Sequence, residues 1–288
     1  IELELVLDKL FRKVQMNAAT MVIPTMPDAG YAEWTSTPSG TGASPHGNLE
    51  ERGDTIGSPF AGYDLGSQIL TTNKLVSKSY MGNETEEDAI MPVLPLIREA
   101  MVRSHARAIE HSLLVGGSAD AVNTGGQNGL FKLAVDGGLN IDSGASDGTY
   151  VATTAALLNM RQAMGKYGRR PSDVVYIVSL DAYYDLLDDA EFQDVNLVGG
   201  DRATKIQGEI GQAYGSPIIV CDEFQARGAG KAWGIAVNTR NFVVPVLRGV
   251  TVESDYDVEN QRRVLVASQR RGFQQIFTAA GQVVAHTW

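Results

Sequence analysis

The sequence predicts an α+β fold, and three observations carry that prediction. Helical periodicity is confined to the first two thirds of the chain. Two short continuous apolar runs, Val174–Val178 and Pro217–Cys221, have the length and β-branching of buried strands. Beyond Lys231 the pattern becomes a succession of short strands, so helices and strands are segregated rather than alternating. The chain has 288 residues, room for one large domain or two modest ones.

Taken in order, the chain opens Ile1-Glu2-Leu3 without methionine, which suggests trimming or natural cleavage. Glu2, Glu4 and Asp8 stand where a secretory signal would be basic. Leu3, Leu7, Leu10, Phe11 and Val14 fit helical spacing, whereas Ile1, Leu3, Leu5 and Leu7 equally fit strand alternation. The expectation is a short amphipathic helix, either an ordinary core element or an arm that packs on another subunit.

Residues 31–59 form a long polar stretch. Only Tyr31, Ala32, Trp34, Ala43, Leu49 and Ile56 are apolar, and glycines at 40, 42, 47, 53 and 57 with prolines at 38, 45 and 59 interrupt any regular element. Such a segment cannot bury enough apolar area to offset its ordering entropy. It reads either as a surface loop or as an arm ordered by a neighbouring subunit. Met21-Val22-Ile23 leads out as a strand, and a strand returns through Phe60, Tyr63, Leu65, Ile69, Leu75 and Val76. A hairpin of that length reaches about 45 Å at about 3.3 Å per residue.

Acidic residues Glu84 and Glu86–Asp88 then precede a long helix, expected over 87–114 and ended by Gly116-Gly117. Ile97, Ala100, Met101, Ala108 and Ile109 share one side of it. At about 1.5 Å per residue it is a spine of roughly 42 Å. Leu130, Phe131, Leu133 and Val135 are expected as a short strand or turn within the Gly/Asn/Asp-rich stretch 116–149. A helix follows over 152–167, then the strand 174–178, a short helix through Leu180–Leu187, a polar stretch 188–215 and the strand 217–221. Strands are expected at 232–238, 242–247, 250–257, 262–267 and 273–286, with a turn at Asn238–Asn241 between the first two.

Composition excludes several classes. Lys plus Arg is 24 against 34 Asp plus Glu, a net charge of -10, which argues against broad sequence-independent nucleic-acid binding. The single cysteine, Cys221, excludes an internal disulfide framework and reads as a small core residue. No run of eighteen apolar residues exists, so neither a transmembrane helix nor a membrane partner is expected.

Chemical motifs are equally scarce. Gly165-Lys166-Tyr167 and Gly230-Lys231-Ala232 lack the hydroxyl and upstream glycine of a phosphate loop. No nucleophile elbow exists, and Glu110-His111 lacks the second histidine of a zinc helix. His105 and His111 stand six apart, about 240° around a helix, and cannot hold one metal from one face. Asp181, Asp185, Asp188, Asp189, Glu191 and Asp194 lack calcium-loop spacing and read as a solvated face, or as a charge contact at a symmetry axis. No catalytic residue, cofactor or metal is expected.

The order of elements resembles the major capsid proteins of tailed double-stranded DNA bacteriophages, the Hong Kong 97-type fold. The resemblance rests on the arm before Pro24, the Gly/Pro-rich loop 31–59, the strand Ile69–Val76 and the long helix through Arg98-Glu99-Ala100 to Gly117. It continues through the helix ending near Tyr167, the strand Val174–Leu180, Ala213-Tyr214-Gly215-Ser216-Pro217-Ile218-Ile219-Val220 and the closing strands through Arg270-Arg271-Gly272-Phe273. It implies an N-terminal arm (1–24), an extended E-loop with flanking strands (25–83), a P-domain with the spine helix (84–170), an A-domain (171–235) and C-terminal strands shared between them (236–288). It further implies homo-pentamers and hexamers of an icosahedral shell, assembled in the host bacterial cytoplasm and enclosing DNA without sequence-specific binding. Implied accessory partners are a scaffold or prohead protease, a portal and a decoration or cement protein.

Intersubunit contacts are expected at Trp34, Arg52, Lys74, Lys78, Asp194 and Asp201. A few relatives join a loop lysine to a neighbour's asparagine; Lys74 and Lys78 lie in the corresponding region, with no motif selecting either. The missing methionine suits removal of a leader. Two alternatives stand beside this reading: an encapsulin-like nanocompartment shell, and an α+β hydrolase using Glu50, Glu51 and Asp54 beside His46.

Overall fold

All five side chains of Val174–Val178 are buried, which requires a strand inside a sheet covered on both faces. The structure is a computed structural model and describes residues 6–25, 66–84, 93–117, 127–142, 150–189, 211–276 and 281–288. Among these the strands are β1 (Arg12–Gln15), β2 (Thr20–Thr25), β3 (Gly66–Thr71), β4 (Asn73–Gly82), β5 (Asn140–Asp142), β6 (Val174–Val178), β7 (Gln212–Ala213), β8 (Ser216–Val220), β9 (Ala232–Asn238), β10 (Phe242–Asp257), β11 (Arg262–Arg271), β12 (Gln274–Gln275) and β13 (Val283–Thr287). The helices are α1 (Val93–Val115), α2 (Leu130–Asp136), α3 (Thr154–Ala163) and α4 (Leu180–Asp188).

The chain divides into two units, Ile1–Met21 with Leu70–Trp288, and Val22–Ile69. Within the smaller unit the described residues belong to β2 and β3, which pair as a two-stranded ribbon. No described helix is long and apolar enough to cross a membrane.

In the larger unit, β6 is central to a six-stranded sheet ordered β5-β13-β9-β6-β8-β7. The alternation of its strands divides the core in two. Val175, Ile177, Ile235, Val237, Val283 and Ala285 face Leu113 and Leu114 of α1 and Leu130 and Ala134 of α2. Tyr176, Ala236, Trp233 and Val284 face Leu157 and Met160 of α3 and Ala182 and Leu186 of α4. Trp233 is buried and donates its indole N–H to His286 Nδ1 at 3.1 Å. The second sheet runs β1-β10-β11-β4, with β12 also on β10. At its inner end Phe11, Phe242 and Phe273 meet at ring-centroid distances of 5.1–5.8 Å.

Several expectations are corrected by packing. The N-terminal segment is a 3-10 turn, Leu7–Lys9, followed by β1, rather than an amphipathic helix. Arg12–Gln15 pairs in parallel with Val243–Val246, and this ladder outweighs the helical spacing. The strand expected over Ile69–Val76 is two strands that part at Thr72, whose N–H and hydroxyl both donate to Ala19 O while the Gln274 side chain accepts the Thr71 N–H.

Leu130–Asp136 is a helix, not a strand or turn, because its apolar residues are needed at helical spacing against β13 and α1. Gly116 and Gly129 let those two helices touch. The Gly129 N–H donates to Gly116 O at 2.7 Å, and a Cβ on Gly116 would stand 2.3 Å from Ser112 O. The expected helix 152–167 stops at Ala163, and a 3-10 turn follows from Gly165, whose φ is +57°. The strands expected at 242–247 and 250–257 are the single strand β10, with register shifts between Val246 and Thr251 that absorb the irregularity. The last expected strand, 273–286, is two: β12 and β13.

The strand 174–178 and the short helix after it are as expected; Ser179 caps that helix by accepting the Ala182 N–H. The 217–221 strand is present as β8 but is mostly half-buried. Of the spine helix, α1 matches the expected end; residues 85–92 lie outside the described ones. Its buried side includes His105 and Glu110, and Ala100 is exposed rather than packed.

Candidate assembly surface

Lys74 and Lys78, expected at an intersubunit contact, lie on β4. The other four residues of that set, Trp34, Arg52, Asp194 and Asp201, lie outside the described residues, as do His46, Glu50, Glu51 and Asp54 of the hydrolase alternative and the loop 31–59. β4 alternates strictly over its first eight residues: Asn73, Leu75, Ser77 and Ser79 are half-buried, and Lys74, Val76, Lys78 and Tyr80 are exposed. The period of two is what a strand covered on one face requires.

The covering element is α1. Its Met101 packs with Leu265 and Ala267 of β11, joined by Ile97, Leu94 and Val252. Its His105 lies 2.9 Å, through Nε2, from Ser77 Oγ, and burial lowers the His105 pKa. Among the described residues no element packs on the opposite face of the β4–β11–β10 sheet, where Lys74, Val76, Lys78, Tyr80, Glu253 and Asp255 are exposed. Register fixes its rows: Lys78, Val266 and Glu253 stand side by side, as do Tyr80, Val264 and Asp255, and Val76, Ser268 and Thr251.

Tyr80 anchors the far end of this face. The Lys78 ammonium lies 4.8 Å from its ring centroid and the Arg262 guanidinium 4.1 Å. The Lys78 bond first, against slight desolvation, lowers the Tyr80 pKa. Arg262 also pairs with Asp257 at 3.1 Å, and the Asn260 side chain bonds Asp257 at 2.8 Å; the Asn260 bond leads in holding that carboxyl below its usual range. At the near end, Arg248 bonds Ser268 Oγ. Lys74, Arg270 and Arg248 make that row basic throughout; the Val76–Ser268–Thr251 row is uncharged, and the Lys78 and Tyr80 rows run from cationic or aromatic on β4 to acidic on β10.

A second polar feature lies at the N-terminal turn. Glu110 of α1 is buried and accepts the Leu7 N–H at 3.0 and 2.9 Å and the Asp8 N–H at 3.2 Å, satisfying donors that the short turn leaves free. Burial raises its pKa to about 7. Asp8 in turn pairs with Arg271 and, at 2.6 Å, with Lys13; burial works against its charge, but these cations hold its carboxyl below the usual range. This role of Glu110 is not legible locally, because its partner is 103 residues away.

Nothing described resembles a reaction centre. Burial pushes the Cys221 thiol up to about 12, and desolvation lowers the pKa of His286 within the aromatic cluster. No group of three or more potential metal-ligating side chains occurs among the described residues. Tyr80, Arg262, Glu253 and Asp255 were missed by sequence reading. The alternation of Lys74, Val76, Lys78 and Tyr80 is the signal that could have found the first; the others need the register with β11.

A family model described as phage capsid protein matches residues 83–276. The major capsid protein of Escherichia phage T5 is 35% identical over 289 residues, covering 100% of this chain and 59% of the relative. The chain thus spans 59% of the length of the curated relative it matches. Among solved structures, a chain from Microbacterium phage Oxtober96 superposes with a TM-score of 0.67 at 15% identity, covering 97% of this chain and 89% of that one. A chain from Mycobacterium phage Bobi gives 0.64 at 14%, covering 97% and 88%. One described as the capsid of a native GTA particle gives 0.66 at 10%, covering 98% and 89%.

Proposed function

Since the chain belongs to the phage capsid protein family and has the Hong Kong 97-type fold, we propose that it is a structural subunit of an icosahedral phage head. It self-assembles into pentamers and hexamers that enclose the double-stranded DNA genome, and it carries out no catalysis. The observation that supports this reading most is the family match over 83–276. The buried, non-nucleophilic state of Cys221 and the open sheet face between Lys74 and Asp257 agree with it.

In this reading 1–24 is an N-terminal arm, 25–83 the E-loop and its flanking strands, 84–170 the P-domain, 171–235 the A-domain and 236–288 strands shared by the last two. Trp34, Arg52, Lys74, Lys78, Asp194 and Asp201 belong to contacts between copies. A scaffold or prohead protease, a portal and a decoration protein are its accessory partners. The nanocompartment alternative keeps the same fold, and the phage capsid family match favours the phage reading over it; the residues of the hydrolase alternative lie outside the described ones.

Electron microscopy of the purified chain tests the reading. Capsomers or shells are expected; a stable monomer at every concentration would overturn it. Deleting residues 40–57 is expected to leave a folded subunit that no longer assembles. An unfolded product would return that loop to the core.

A further inference from the structure

The open face of the second sheet has two long edges of opposite charge. β4 pairs only with β11 among the described residues, and residues 248–257 of β10 likewise have only β11 beside them, since β1 and β12 reach no further than Val246. The two edges are about 10 Å apart, two strand spacings. One carries Lys74 and Lys78, the other Glu253 and Asp255, all four exposed. No ion pair among the described residues engages any of them, although Lys78 rests on the Tyr80 ring. Asp257 is already paired with Arg262, and Arg248 bonds Ser268, so neither is spare in the same sense. Partly exposed Val264 and Val266 run down the centre.

Exposed edge strands invite pairing, and charge is the usual means of controlling it. Here the charge is segregated by edge rather than mixed. Two β4 edges repel each other, and so do the distal halves of two β10 edges, which disfavours a two-fold contact. A β4 edge set beside a β10 edge gains opposite charges instead. A contact that joins two different patches repeats from copy to copy, and where the rotation closes it produces a ring.

We propose that the two edges of this face form a head-to-tail interface between copies of this chain, the β4 edge of one copy beside the β10 edge of the next, with Lys74 and Lys78 against Glu253 and Asp255. The inference rests on the capsid reading and adds which surfaces meet and with what polarity.

Charge reversal in the full chain tests it. Lys74→Glu with Lys78→Glu, and separately Glu253→Lys with Asp255→Lys, are each expected to remain folded, with wild-type melting transitions, and to lose at least tenfold in capsomer yield by size-exclusion chromatography and electron microscopy. The quadruple variant is expected to recover wild-type yield. A 1:1 mixture of the two double variants places an all-acidic copy beside an all-basic one, so it is expected to restore only rings with an even number of members, hexamers without pentamers. Raising the salt concentration should weaken the wild-type and quadruple assemblies alike.

Wild-type assembly with either folded double variant assembling equally well would overturn the interface and leave the capsid reading standing. So would a folded quadruple variant that stays as defective as its parents. A wild-type chain that never associates would overturn both.

Discussion

β6 and β4 are both single extended strands, yet they are built on different rules. All five β6 residues are buried between two helical layers, and the sequence there is an unbroken apolar run. β4 is covered on one face only, by α1, and its residues alternate between half-buried and exposed. The β6 region makes a subunit that stands on its own core. The β4–β11–β10 sheet withholds one face from that core and puts charge and aromatic rings on it. Cost of substitution and consequence for association should therefore separate cleanly between the two regions.

The largest effect is expected where the largest buried side chain fills the layer between β9 and the helices α3 and α4. Trp233→Ala should destabilise the subunit by about 3–5 kcal/mol, read as a shift in the urea midpoint, because it empties the cluster shared by α3, α4 and β9. Gly129→Ala should cost about 1–3 kcal/mol, since its Cβ would meet Gly116 N at 2.5 Å and neither backbone can retreat without parting α1 from α2. An unchanged melting transition for either would show that the buried region does not carry the fold.

Glu110 gives an intermediate, pH-dependent effect. Its folded pKa, about 7, exceeds the ordinary 4.5, so the folded chain retains a proton that the unfolded chain releases. That contribution is fully present below about pH 4.5 and is lost as pH rises through about 7. Relative to Glu110→Gln, the wild type should therefore lose up to about 1.4 kcal/mol per pH unit across that window and nothing further above it. Urea titrations of both proteins at several pH values check the slope; a constant gap would mean that Glu110 is not desolvated. The smallest effect belongs to the open face, where Val76→Ser should change subunit stability by no more than about 0.5 kcal/mol. A larger loss would mean that the face is part of the core after all.

The same contrast explains how far the sequence could be read. Continuous apolar runs such as Val174–Val178 announce themselves, and the capped helix behind Ser179 follows from local chemistry. Arg12–Gln15 could not be recognised as a strand from its own residues, because its reason for being extended is Val243–Val246, more than two hundred positions away. Leu130–Asp136, expected as a strand or turn, is a helix, because a short apolar run suits either element until its neighbours are known. On the open face, Lys74 and Lys78 could be singled out, but their counterparts Glu253 and Asp255 depend on the pairing of two strands with β11. Glu110 stands in the sequence only as part of a Glu110-His111 pair without the second histidine of a zinc helix; the turn at Leu7 gives it a purpose.

β10 has a mechanical consequence. It begins at Phe242, among buried aromatic rings, and continues as one strand to Asp257 at the far end of the open sheet. A pull along its axis from the far end loads the hydrogen bonds to β11 together, in shear, instead of opening them one by one as peeling would. Tension applied at a neighbour's edge would then travel down a stiff rod and end in the Phe11–Phe242–Phe273 stack, which makes that aromatic trio the anchor of a tie-bar.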